Sequence, residues 1–464
     1  MRALTNIGSR EVSFRFWLFI LFVFFIVFTG GSSRADAQSL AIVRPTALVV
    51  CGFALWTISR EHLLQYRMPI SLMFAALALQ LFHISPFSSM FSTDTPTEQI
   101  MSAVNLELGV SSGLRPLALV PDSTMNAIFS LAVPFAALLL GCQLTRSERA
   151  LLLPIMLIIG FFSGVWGLLQ VTGGSQNSLY LYALTNDGAA VGLFANRNHQ
   201  ATLLACMFPM LAAYATMGEG TAEKLKVKGW AAAAVAIFLV PLILVTGSRT
   251  GVILSIIGIA FAAVIYRKPQ PSQASKRKIR NPWPLYAAVG LAVTSLGAIT
   301  LILSRAQALS RFTSRAPADE LRFQIWGPIT KFAADYLPFG SGGGSFAMTY
   351  QVYEPERLLM ASHVNQVHND FIDVFLTAGI PGIIIVLLSL VVVAKAGFNA
   401  FSGLRIDSQS KELAKTGLAI FTILAAASMT DYPLRVPSLS AFMSISLLWL
   451  FGIQRRTKEK AGTN

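Results

Sequence analysis

The chain has 464 residues, of which 54% are hydrophobic and 12% charged, with a mean hydropathy of +0.61. Soluble domains carry about 25% charged residues, so there is too little charge here to cover the surfaces of a soluble chain this long. The net charge of +14 does not point to nucleic acid, because Lys and Arg are scattered between apolar runs instead of gathered on one face. The chain reads as an all-α integral membrane protein.

Runs of about 20 mostly apolar residues, the length that crosses a bilayer, fall at 14–31, 40–58, 68–87, 124–144, 151–171, 199–216, 230–246, 250–266, 284–303, 377–397, 415–430 and 436–453. The first, with Arg10 and Arg15 before it and Ala35-Asp36-Ala37 after it, imitates a secretory signal with an A-x-A cleavage site. Its length favours an uncleaved first helix. Cys51, Cys142 and Cys206 lie inside apolar stretches without the paired spacing of a disulfide framework or a zinc site.

Twelve spans put both termini on one side of the membrane. Of the 36 Lys and Arg, 24 lie with the termini and 12 on the opposite side, so the termini are expected in the cytoplasm. Eleven of those twelve are Arg, Lys331 being the exception. Orientation needs only positive charge, whereas planar, bidentate recognition of phosphate needs guanidinium.

Three blocks follow from this layout: N-terminal helices over 1–190, a core over 191–398 and C-terminal helices with a tail over 399–464. The core holds a long extracytoplasmic loop, about 304–372, that is too long for a connector and should carry short helices of its own. Within it, 321–332 reads as an amphipathic helix lying on the membrane surface, broken or kinked at Pro328. The run Gly340-Ser341-Gly342-Gly343-Gly344-Ser345 lacks the Gly-Lys-Ser/Thr ending of a nucleotide loop and reads as a flexible turn.

Histidine is scarce, and His62 and His83 are expected in structural roles. His363 and His368 are five apart, which turns their side chains away from each other on a helix, and no Cys stands nearby; no metal is expected. His368 suits a general base, since an imidazole titrates near neutral pH. It opens His368-Asn369-Asp370 where the loop re-enters the membrane, so Asn369 is placed to orient a substrate and Asp370 or Asp373 to fix the tautomer. A helix-capping Asn-Asp pair beside a surface His is the plainer alternative.

Arginines supply the other half. Arg197 lies in Phe194-Ala195-Asn196-Arg197-Asn198-His199, Arg249 in the tight turn Thr246-Gly247-Ser248-Arg249-Thr250-Gly251, Arg322 at the start of the amphipathic helix, and Arg435 in Asp431-Tyr432-Pro433-Leu434-Arg435. Charges this close to hydrocarbon point to function, though an Arg435–Asp431 ion pair would serve structure equally well. Together these groups suit a lipid-borne pyrophosphate held by guanidinium while His368 deprotonates an attacking sugar hydroxyl.

The motif His368-Asn369, nine residues, Gly379, two residues, Gly382 resembles the signature of the bacterial O-antigen ligase and polymerase superfamily. The Arg197 and Arg249 blocks, and Arg322 to Trp326 followed by Pro338-Phe339-Gly340, resemble further family blocks in the same order. The resemblance implies a C-type glycosyltransferase-like fold and a metal-independent, inverting transferase without cofactor. The expected donor is an undecaprenyl-pyrophosphate-linked glycan, and the expected acceptor a glycan or lipid A core sugar, at the periplasmic face of the bacterial inner membrane. In lipopolysaccharide assembly this would be a ligase; an O-antigen or exopolysaccharide polymerase is the close alternative. The family's roles carry over to His368 as base and to Arg249, Arg197, Arg322 and Arg435 as pyrophosphate ligands. A lipid-linked sugar transporter is the alternative of another class, and would be expected to show repeated halves and broken midplane helices.

Overall fold

A computed structural model describes residues 12–91, 95–110, 115–173, 178–218, 221–268, 326–359, 365–402 and 407–453. Its helices are α1 Phe14–Thr29, α2 Leu40–Thr57, α3 Arg60–Gln65, α4 Arg67–Ile84, α5 Pro96–Glu107, α6 Pro121–Ser130, α7 Ala132–Gly141 and α8 Arg146–Thr172. After them come α9 Arg197–Thr216, α10 Ala222–Thr246, α11 Arg249–Ile265, α12 Trp326–Tyr336, α13 Phe346–Thr349, α14 Asp370–Phe401, α15 Ser408–Ser428 and α16 Pro437–Phe451. Among the described residues there is no strand.

Helices stand at eleven of the twelve expected spans, α6 and α7 together making one; the span expected at 284–303 lies outside the described residues. Six are long and apolar enough to cross a membrane by themselves, and α1, α11 and α16 are shorter apolar helices. Large apolar side chains such as Trp17, Leu48, Ile253 and Leu388 are exposed along these helices, as a bilayer-facing belt requires and a water-facing surface would not tolerate. The protein is an integral membrane protein.

The bundle is built around α9, of whose 20 residues 16 are buried. It packs against α8, α10, α11 and α15, and a helix covered all round must be apolar all round. Contact with α11 is close because Gly251 and Gly258 face it: a Cβ on Gly251 would stand 2.4 Å from Ala201 Cβ, and one on Gly258 2.6 Å from Ala205 O. A second group forms around α7, which lies between α2 and α16, with α1 against all three. Phe19 and Ile26 of α1 are fully buried there.

Alternate helix ends gather at two faces. At one, Glu148 caps two helices: its Oε2 accepts from Thr145 N and its Oε1 from Ser13 N, both at 2.8 Å. His62 serves the same face, completing a capping box with Ser59 at the start of α3. The opposite face holds Gly31, whose N donates to Tyr182 Oη and whose O accepts from Ala195 N. There His83 Nε2 also donates to Phe339 O at 2.8 Å. α9, α11, α14 and α16 all begin at this second face.

Two elements differ from expectation. Pro328 lies within α12, which runs on past it to Tyr336, so it does not break the helix there; residues 321–325 of the expected helix lie outside the described residues. One face of α12 is turned to protein: Ile329, Phe332 and Tyr336 pack with Phe346, Tyr350, Val367 and Leu376 into a small core of their own. The glycine run is likewise no loose turn. Gly340, Ser341, Gly342 and Gly343 are buried, with Leu119 N donating to Ser341 O and Ser341 N to Leu376 O.

Candidate active site

His368 is the non-glycine residue with a positive φ, 55°, among those described. Backbone there is strained, and the next residue shows what holds it. Asn369 is extended to cap α14, its Oδ1 accepting from Phe371 N and Ile372 N and its Nδ2 donating to Met429 O at 2.9 Å. Asp370 Oδ2 accepts from Ser428 Oγ at 2.8 Å. Two consecutive residues are thus fastened to the end of α15 and the turn that follows it. The His368 ring lies against Tyr432, centroids 5.1 Å apart, and its side chain is about one-third exposed, at 35%.

The carboxylate of Asp431, in that same turn, is the centre of the site. His368 Nδ1 lies 3.5 Å from its Oδ1, and Tyr432 N donates to the same oxygen at 3.0 Å. Its Oδ2 accepts from Asn198 Nδ2 at 2.8 Å and from Asn196 Nδ2 at 3.3 Å, with His199 Nε2 3.9 Å away. Burial would push the Asp431 carboxyl up, but the two imidazoles and the Asn198 amide hold it well below the usual carboxylate range.

Local structure explains how these groups arrive. Asn196 caps α9 and accepts from Asn198 N. Asn198 Oδ1 accepts from Ser248 Oγ at 2.8 Å, and Ser248 in turn caps α11, accepting from Gly251 N. Gly247 ends α10 at φ 66°, a left-handed conformation that lets the chain reverse in a single step. Asp431, Asn198 and Ser248 therefore form one hydrogen-bonded chain that reaches from the carboxylate beside His368 to the turn carrying Arg249. The N-termini of α9, α11 and α14 point to this region, adding partial positive charge that favours an anion.

The sequence-predicted arginines fall in different places. Arg249 is exposed on the first turn of α11, and Arg197 opens α9, its N donating to Asn186 Oδ1. Arg435 does not pair with Asp431. It forms an ion pair with Asp373, donates a hydrogen bond to Gln366 Oε1 and lies 3.5 Å from Asp370 Oδ1. Burial opposes its charge, but Asp373 and Asp370 raise its pKa above the ordinary value. Arg322 and His363 lie outside the described residues. The carboxylate beside His368 is Asp431; Asp370 and Asp373 face Arg435 instead.

The first signature glycine is explained by packing. Gly379 interrupts α14 at φ 58°, ψ −152°. A Cβ there would stand 2.2 Å from Pro338 O, so only glycine lets α14 pass the Pro338-Phe339-Gly340 segment.

Beside the site is a cavity of about 790 Å³ walled by α2, α4, α6, α7 and α14. Tyr432, Asn196, Asp370, Asp373 and Arg435 line its polar end, and Val374, Ala378, Gly382, Ile385 and Val386 one apolar wall. His368, Arg249 and Arg197 do not line it. Tyr432 stands between it and His368. Among the described residues no three His, Cys, Asp or Glu side chains are grouped to hold a metal ion.

Sequence reading missed Asp431 as the partner of His368, and missed Asn198, Gln366 and Tyr432 altogether. The available signal was an acidic residue in a five-residue turn between two apolar runs, a setting in which a charge is seldom idle.

The family model described as O-antigen ligase matches residues 233–387. Over that stretch, about a third of the chain, the sequence is similar to the O-antigen ligase family, in agreement with the resemblance drawn from the motifs there. The match includes the Arg249 turn and the His368-Asn369 signature, while Asn198 and Asp431 fall outside it. No curated protein matches the chain.

Proposed function

We propose that this protein transfers a glycan from undecaprenyl pyrophosphate to a sugar hydroxyl at the periplasmic face of the bacterial inner membrane, as an O-antigen ligase. The observation that carries the proposal is the chain of contacts from His368 through Asp431 and Asn198 to the Ser248-Arg249 turn. It supports bringing a base and an anion-binding turn to one place. A repeat-unit polymerase would use the same chemistry on a different acceptor.

In this reading Arg249 and Arg197, with the N-termini of α9 and α11, hold the pyrophosphate; Arg322 is assigned the same role on the motif alone. His368 turns Nδ1 toward Asp431, which leaves Nε2 to take the proton of the acceptor hydroxyl. The hydroxyl oxygen bonds to the anomeric carbon as the carbon–oxygen bond to pyrophosphate breaks, and the bonding pair leaves with the pyrophosphate. One displacement inverts the anomeric centre. Asp431 stabilises the imidazolium that forms, as a carboxylate does in a hydrolase triad. Asn369, with both amide atoms engaged, and Asp370 act by holding His368 in place. Arg435, already between two carboxylates, is assigned to the cavity wall and not to the leaving group.

The test is transfer from purified lipid-pyrophosphate glycan to candidate acceptors, with EDTA present. Turnover should persist in EDTA, and His368→Ala should abolish turnover while leaving donor binding within a few-fold of the original. Loss of activity in EDTA would reject the metal-free mechanism, and undiminished turnover in His368→Ala would reject the base.

A further inference from the structure

The cavity beside the site contains a cation that the proposed chemistry does not use. Arg44 lies on the second turn of α2, inside an apolar helix long enough to span a membrane, and lines the cavity wall. Its Nη2 donates to Ser130 Oγ at 3.2 Å, and its Nε is buried without a hydrogen-bond partner. No carboxylate among the described residues lies within ion-pair distance of it. Every other arginine on this cavity is neutralised: Arg34 by Asp36 through two hydrogen bonds, and Arg435 by Asp370 and Asp373. Gln80 lines the same cavity with a buried, unpartnered Oε1.

An uncompensated guanidinium within a span is costly, and a partner is expected for it. The surroundings limit what that partner can be. One positive charge suits one anionic group. The opposite end of the cavity, where two carboxylates flank a single arginine, would repel a pyrophosphate. Below the polar residues, Val43, Leu79 and Val133 face Ile385 and Val386 of α14 around the same space, which suits a hydrocarbon chain.

We propose that this cavity is a second lipid site, in which Arg44 holds the phosphate or carboxylate of an acidic amphiphile whose chain runs along the apolar wall formed by α14. It is separate from the donor site at Arg249. Only in naming the occupant as the acceptor does the proposal rest on the transfer reaction above; transfer between two membrane-borne molecules requires two such sites, on either side of the Tyr432–His368 pair.

The test is binding, and needs no turnover. The full chain, in nanodiscs of zwitterionic lipid, is titrated with lysophosphatidic acid, with the monoacylglycerol of the same chain, and with inorganic phosphate. The wild type should bind lysophosphatidic acid about tenfold or more tightly than monoacylglycerol, with phosphate competing only at far higher concentration. Arg44→Gln should lose that preference and Arg44→Lys keep part of it. Ser130→Ala, which frees the guanidinium without removing it, should weaken the preference a few-fold and guards against misfolding of the Arg44 variants. An unchanged preference in Arg44→Gln would overturn the proposal, and so would phosphate competing as well as the lipid, which would mark a free-anion site. If transfer is later measured, Arg44→Gln should raise the acceptor KM and leave the donor KM unchanged. An absence of transfer alongside Arg44-dependent lipid binding would reject the reaction and keep the site.

Discussion

Replacing Asp431 with Asn removes the charge beside His368 together with one of its two acceptor oxygens, since with the amide oxygen toward Asn198 the amide nitrogen faces Tyr432 N and His368. Side-chain volume is conserved, and an amide oxygen can still accept from Asn198. The imidazolium formed during proton abstraction loses a carboxylate whose Oδ1 is 3.5 Å from Nδ1. With an effective dielectric of about 20, that separation corresponds to about 5 kcal/mol. Because His368 is about one-third exposed, solvent screening leaves roughly half, about 2–3 kcal/mol. Turnover should therefore fall roughly 30- to 150-fold, read as transfer of lipid-pyrophosphate glycan with donor affinity measured in parallel. If Asp431 acts through His368, the double variant Asp431→Asn/His368→Ala should be no slower than His368→Ala alone. Turnover of Asp431→Asn within about threefold of wild type would refute the reasoning, as would additive losses in the double variant.

Arg249→Lys keeps the charge but loses the planar fork, and transfer should fall by at least tenfold; near-normal rates would argue against bidentate pyrophosphate binding. Gly379→Ala, at φ 58° with a Cβ directed at Pro338 O, should destabilise the protein by about 2–4 kcal/mol, and an unchanged melting temperature would show that α14 relaxes freely there. Asp431 has a pKa depressed in the folded state, so its contribution to stability is complete above the unfolded carboxyl value and fades as pH falls below about 4. The melting-temperature advantage of wild type over Asp431→Asn should accordingly shrink, not grow, as pH falls from 5 to below 4. Single cysteines at Arg357 and Arg267, both exposed, placed in a chain with the three native cysteines replaced, should react from opposite sides of the membrane; same-side labelling would overturn the topology.

Much of the fold was legible because a membrane span is a property of a segment. About 20 apolar residues cross a bilayer whatever they pack against, and among the described residues helices stand where such runs were read. Segment ends were less legible. α14 begins at Asp370 and not near 377, because Asp370 and Asp373 face Arg435 across a cavity wall; as isolated carboxylates they look like loop. Pro328 reads as a breaker, yet α12 runs on past it to Tyr336.

The sequence alone determined the membrane character, the run of helices, and the two motifs around Arg249 and His368, since each is written in consecutive residues. Only the tertiary structure decided what those residues touch. Asp431 meets Asn198 across 233 positions of chain, and Ser248 joins them through a hydroxyl whose local role is to cap a helix. No periodicity or spacing encodes such a meeting. It arises because Gly251 and Gly258 bring α11 against the buried α9, and because the capping of α14 by Asn369 carries His368 to the turn that holds Asp431.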